Sequence, residues 1–113
     1  MNTKTLYFAA WFAGVAALAA TNAHAKNPGI DANAGKQRAA VCFACHNTNG
    51  MAQIPGVPNL AGQNSDYLED ALRAYRDGHT RQNVIMNAMA SPLSDGDIAN
   101  ISAYFSLLHP QMK

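Results

Sequence analysis

Five consecutive residues, Cys42-Phe43-Ala44-Cys45-His46, constrain this chain more than anything else in it. They read C-x-x-C-H, the spacing through which a c-type haem is attached. The chemistry explains the spacing. Two thiols add across the two vinyl groups of one porphyrin, so the cysteines must stand about one helical turn apart. The next residue, His46, then lies under the iron and supplies an imidazole nitrogen. Cys42 and Cys45 are the only two cysteines in the 113-residue chain.

Other uses of a cysteine pair fit less well. A thioredoxin-like dithiol needs a βαβ setting, and no alternating strand pattern occurs anywhere. A structural zinc wants four N or S ligands, but there is no second pair, and His24, His79 and His109 are scattered. A disulfide between Cys42 and Cys45 closes too tight a loop to stabilise much. The reading is one covalent haem c with its iron, Cys42 and Cys45 forming the thioethers and His46 an axial ligand.

The N-terminus reads as an address. Lys4 gives a small positive region, residues 6–20 are an apolar stretch, and Ala23-His24-Ala25 is an A-x-A cleavage site. The apolar run is shorter than the ~20 residues a spanning helix needs. Residues 1–25 are therefore expected to be a cleaved secretory signal and 26–113 the folded domain, with no stable membrane insertion afterwards; the periplasm as its location is what resemblance to bacterial proteins with this haem motif implies. The 26–113 segment carries seven basic side chains (Lys26, Lys36, Arg38, Arg73, Arg76, Arg81, Lys113) and seven acidic ones (Asp31, Asp66, Glu69, Asp70, Asp77, Asp95, Asp97). That neutral balance argues against a nucleic-acid partner and leaves local charged patches for protein docking. A domain this small buries little, so a haem acts as its largest apolar core element.

The remaining pattern is helical. Asp31 or Asn33 caps a helix running from about Ala32 into the haem motif. Gly35 inside it either admits a close neighbour or is a tolerated surface glycine. Asn49-Gly50, Pro55-Gly56 and Pro58-Asn59 are turn dipeptides that make 47–64 a long loop. A loop of that length in so small a domain is explained by wrapping round the haem, with Ile54, Val57 and Leu60 facing the ring. Ser65 is expected to cap a second helix with Tyr67, Leu68, Ala71, Leu72 and Tyr75 on one face, charges on the solvated side, and Gly78 at its end. A short helix covers 83–89. Ser91-Pro92-Leu93 breaks it, and Ser94 with Asp97 resembles a capping box. The last helix places Ile98, Ile101, Tyr104, Phe105 and Leu108 on one face and stops at Pro110.

The sixth iron position has several candidates: Met51, Met86, Met89, Met112, His79 and His109. Met51 is too near His46 to reach round the ring, and Met112 lies in a terminal tail. Met86 and Met89 are far enough along, and three apart, so both can face the ring while only one binds.

Taken together the chain resembles a class I cytochrome c, of the small bacterial mono-haem kind related to cytochromes c4, c5 and c553. The resemblance rests on residues 41–46, on Pro58-Asn59-Leu60-Ala61-Gly62-Gln63, on Tyr67-Leu68, on Met86 with Met89, on residues 92–98 and on Ala103-Tyr104-Phe105. It implies an all-α fold of three to four main helices and a long loop round one covalent haem. It implies that Met86 is the axial methionine and that Met89 packs at the haem edge. It also implies that the Pro58 carbonyl holds the His46 imidazole, and that Gly35 meets Tyr104 or Phe105 where first and last helices cross. Asn47 departs from the glycine common in relatives at that position, which implies a local turn change.

The function this implies is single-electron transfer, not catalysis, by a monomer that docks briefly with redox proteins at its exposed haem edge. A filled coordination sphere suits that role. The alternatives are a subunit of a larger periplasmic oxidoreductase, and a haem sensor with an open sixth site that binds carbon monoxide when reduced.

Overall fold

The computed structural model describes residues 29–111. The expected signal peptide and its cleavage site lie outside these residues. Helix α1 spans Ala32–Arg38, a 3-10 turn spans Ala39–Cys42, and α2 spans Phe43–His46. Then come α3, Ser65–Asp77, α4, Val84–Ala90, and α5, Asp95–Ser106. The first three segments form one continuous helical stretch into the motif. With α3, α4 and α5 this makes the all-α architecture expected, and no strand occurs among the described residues.

Local chemistry explains the helix starts. The Asp31 carboxylate accepts the N–H groups of Asn33 at 2.8 Å and Ala34 at 3.3 Å, so Asp31 is the cap and Asn33 is not. At α3 the expectation fails by one residue. Asn64, in an extended conformation, accepts the Tyr67 N–H at 2.9 Å, and Ser65 is already helical. Both residue types cap well, and Asn64 stands one step earlier. At α5 the Ser94 hydroxyl accepts from Asp97 N–H while the Asp97 carboxylate accepts from Ser94 N–H, both at 3.0 Å. That is the reciprocal capping box.

Helices α1 and α5 cross in close contact. A methyl group on Gly35 would overlap the Asn100 backbone carbonyl and crowd the Ile101 nitrogen. The glycine thus admits a neighbouring backbone, but that neighbour is Asn100-Ile101 and not Tyr104 or Phe105. The aromatic contact is displaced along the chain: Phe43, beyond α1, meets Tyr104 at 5.9 Å and Phe105 at 6.3 Å between ring centroids. Two polar contacts pin the crossing. Asp31 N–H donates to the Asn100 side chain at 2.8 Å, and Arg38 pairs with Asp97 at 3.3 Å.

The core is built mainly from α5. Ile98, Ile101, Tyr104 and Phe105 are buried, joined by Ala39, Leu68, Ala90 and Leu93. On α3 only Leu68 of the predicted apolar face is fully buried; Leu72 and Tyr75 pack at the margin and Tyr67 is exposed. Nor are the α3 charges all solvated. Arg76 donates to the Leu93 carbonyl at 3.1 Å and pairs with Asp95 at 2.9 Å, fastening α3 to the start of α5. Helix α5 ends at Ser106, before Pro110, because the Phe105 carbonyl accepts from Gly62 N–H at 3.0 Å and Leu108 N–H at 3.2 Å. Pro110 instead packs beside Gly62.

Two outcomes test this account. Gly35→Ala should destabilise the protein by about 3 kcal/mol or more, because the obstacle is backbone and cannot rotate away; denaturant unfolding measures it. The Asp97 carboxyl lies below its ordinary pKa, first because Ser94 N–H bonds to it and further because of Arg38. Its contribution is present above the unfolded carboxylate value of about 4 and is lost as pH falls through the lower folded value. Asp97→Asn should therefore flatten the acid limb of a stability-against-pH curve below about pH 4.

Candidate haem site

The site begins where α1 hands over to the 3-10 turn. Cys42 ends that turn and Cys45 lies in α2, so the two sulfurs emerge one turn apart on a continuous helical surface. Both are free cysteines of intermediate burial. Burial pushes the Cys42 thiol up, partly offset by the Arg38 charge.

His46 closes α2 and is only 7% exposed. Its Nδ1 lies 2.9 Å from the Pro58 carbonyl oxygen. With Nδ1–H donating there, Nε2 carries the lone pair, and the ring orientation is set by main chain and not by a mobile side chain. The geometry therefore presents one ligating nitrogen beside two thiols.

The loop that brings Pro58 back is held by its own hydrogen bonds. The Gly50 carbonyl accepts from Leu60 N–H at 2.8 Å and Ala61 N–H at 3.1 Å. The Asn59 side chain accepts from Ala52 N–H at 2.8 Å. Gly50 sits at φ 70° against Ala61, where a Cβ would come within 2.7 Å of the Ala61 nitrogen. Sequence reasoning marked Asn49-Gly50 and Pro58-Asn59 as turns but missed that they clasp each other. Their composition signals a turn; the cross-loop pairing is tertiary and leaves no local trace.

Asn47 has φ 60° and ψ 159°, and it is the only non-glycine with positive φ among the described residues. That region is strained for any residue with a Cβ. The backbone here is one that glycine adopts without strain, so Asn47 occupies a glycine-like turn. The strain is offset by the Asn47 amide, which donates to the Met51 carbonyl at 2.6 Å. On the other side, the buried Tyr104 hydroxyl donates to the Thr48 carbonyl, tying the turn after His46 to α5.

Met86 and Met89 both lie on α4, Met86 half-buried and Met89 40% exposed. Met51 lies in the loop near His46, and His79 and His109 are exposed. Of the loop residues expected to face the ring, Leu60 packs on the core, Val57 is half-buried and Ile54 is exposed. Val41, Ile54 and Met89 leave apolar surface open. Free thiols one turn apart, an imidazole of fixed tautomer and uncovered apolar surface fit a covalently attached haem.

The cytochrome c family model matches residues 32–108, from the first residue of α1 to just past α5. This chain belongs to the cytochrome c family. Family members carry covalent haem c with iron and transfer electrons. Cytochrome c-554(548) of Halomonas halodenitrificans is 47% identical over 78 residues, covering 67% of this chain and 94% of that one. A thiosulfate dehydrogenase electron acceptor of Thiomonas intermedia is 43% identical, over 66% of this chain and 35% of that one. The crystal structure of reduced recombinant cytochrome c4 from Pseudomonas stutzeri superposes with a TM-score of 0.67 at 39% identity. It covers 71% of this chain and 46% of that one. This cytochrome therefore spans nearly all of the first relative but less than half of the other two.

Tyr104→Phe leaves the Thr48 carbonyl without its donor. Thermal unfolding of the holoprotein should show a loss of about 1–2 kcal/mol.

Proposed function

We propose that this cytochrome is a periplasmic single-electron carrier with one haem, held through Cys42 and Cys45 and ligated by His46 and Met86. The observation that carries the reading is the His46–Pro58 hydrogen bond, which leaves one imidazole nitrogen free beside the paired thiols. Bound haem supplies a one-electron couple. The chain's own groups do the rest. Cys42 and Cys45 would hold the ring covalently, so the haem itself could not dissociate from the chain. Pro58 holds the His46 tautomer and raises the basicity of the opposite nitrogen. The Met86 thioether would be the second iron ligand and would favour the reduced state relative to a second histidine. Met89, three residues on, packs at the haem edge.

With His46 and Met86 both held by the chain as iron ligands, little would move when the charge changes, and an added ligand such as carbon monoxide would have to displace Met86. The exported location is read from the expected 1–25 signal, with 26–113 as the mature cytochrome domain. Consistent with it, no helix among the described residues is long and apolar enough to cross a membrane. Partners dock transiently at the exposed haem edge, over a surface at the small end of the interface range, and the carrier itself is a monomer. One observation favours a second reading, a stable subunit of a larger oxidoreductase: a relative is named as the electron acceptor of a dehydrogenase. A stoichiometric partner retained through size-exclusion chromatography would select it.

Optical spectra of ferric holoprotein test the ligation. Met86→Ala should abolish the weak long-wavelength band of iron–methionine ligation and lower the potential, while Met89→Ala keeps the band. Survival of the band in Met86→Ala and its loss in Met89→Ala would reverse the assignment.

A further inference from the structure

Helix α4 is seven residues long, too short to persist by its own backbone bonds. It nevertheless carries Met86, and the Asn87 side chain ties it to its neighbours. The Asn87 amide nitrogen donates to the Tyr75 carbonyl at 2.6 Å and to the Arg81 carbonyl at 3.0 Å. The Asn87 side-chain oxygen accepts the Asn83 N–H at 2.7 Å. All of its principal hydrogen-bonding capacity is thus spent on main chain, tying the end of α3, the connecting loop and the start of α4 to one point.

Asn83 returns the bond. Its side-chain oxygen caps α4 by accepting the N–H of Ile85 at 3.1 Å and of Met86 itself at 3.0 Å. The loop is packed as well as bonded, since the Arg81 guanidinium lies 4.8 Å from the Tyr75 ring centroid. Met86 therefore hangs from a short helix that is tied to α3 and the connecting loop through the fully bonded Asn87 amide.

We propose that Asn87 is a positioning residue for the axial methionine: its amide bonds hold the α4 backbone so that the Met86 sulfur stays presented to the iron. This rests on the Met86 ligation proposed above. A preorganised ligand competes well against any added one, because little further order must be imposed on it. If the Asn87 bonds are lost, Met86 spends part of its time away, and an exogenous ligand binds more tightly in proportion.

The test is imidazole titration of ferric holoprotein, followed optically. Asn87→Ala removes all three bonds. Asn87→Asp keeps an acceptor for Asn83 and removes both donations, and it carries the test alone if Asn87→Ala does not accumulate as folded holoprotein. Each should lower the imidazole Kd about tenfold or more, as losing two bonds in Asn87→Asp or three in Asn87→Ala implies, and should weaken the iron–methionine band. Asn64→Ala, which removes the α3 cap away from α4, should destabilise the protein while leaving the imidazole Kd within about twofold. An unchanged Kd in folded Asn87 variants would overturn the proposal, as would an equal drop in Asn64→Ala. If Met86→Ala itself binds imidazole no more tightly than the parent, the ligation reading is what has failed, whatever the Asn87 variants do.

Discussion

The close crossing of α1 over α5 is the contact on which the rest of the molecule depends. Only a residue without a side chain lets the two backbones approach at Gly35, and the approach fixes the direction in which the chain enters the motif. From that crossing Phe43 reaches Tyr104 and Phe105, and the Tyr104 hydroxyl reaches the Thr48 carbonyl. Cys45 and His46 lie between these two anchorages, and Cys42 directly precedes the first. Their geometry is therefore inherited from helix packing and not assembled locally.

His46 and the proposed second ligand, Met86, are held by different means. On the histidine side the restraints are backbone: the Pro58 carbonyl, the Gly50 carbonyl with its two donors, and the left-handed turn at Asn47. On the methionine side they are side-chain amides and a guanidinium, namely Asn83, Asn87 and Arg76, acting on α4 and the turn after it. Backbone restraints yield little without unfolding. Single side-chain locks open at lower cost, so the methionine face is the more adjustable of the two.

Much of this was legible in the residues themselves. The C-x-x-C-H run, the capping box at Ser94 and Asp97, the apolar stripe of α5 and the loop between the first two helical stretches are local patterns with local causes. What escaped was long-range. Nothing around Asn59 announces that it accepts from Ala52, and nothing in Arg76 separates a solvated charge from one bonded to Leu93. Ser65 was expected to cap α3 because it precedes the apolar run, yet Asn64 holds the non-helical conformation that capping requires. Gly35 was correctly weighed as a point of close approach, but which residues it meets depends on helix offset, which periodicity does not encode.

Mass spectrometry of the protein, exported with haem-maturation machinery and then denatured, tests the central claim most directly. The account requires the mass of one haem retained on a chain beginning at Lys26. A well-folded, colourless product with two free sulfhydryl groups would contradict it.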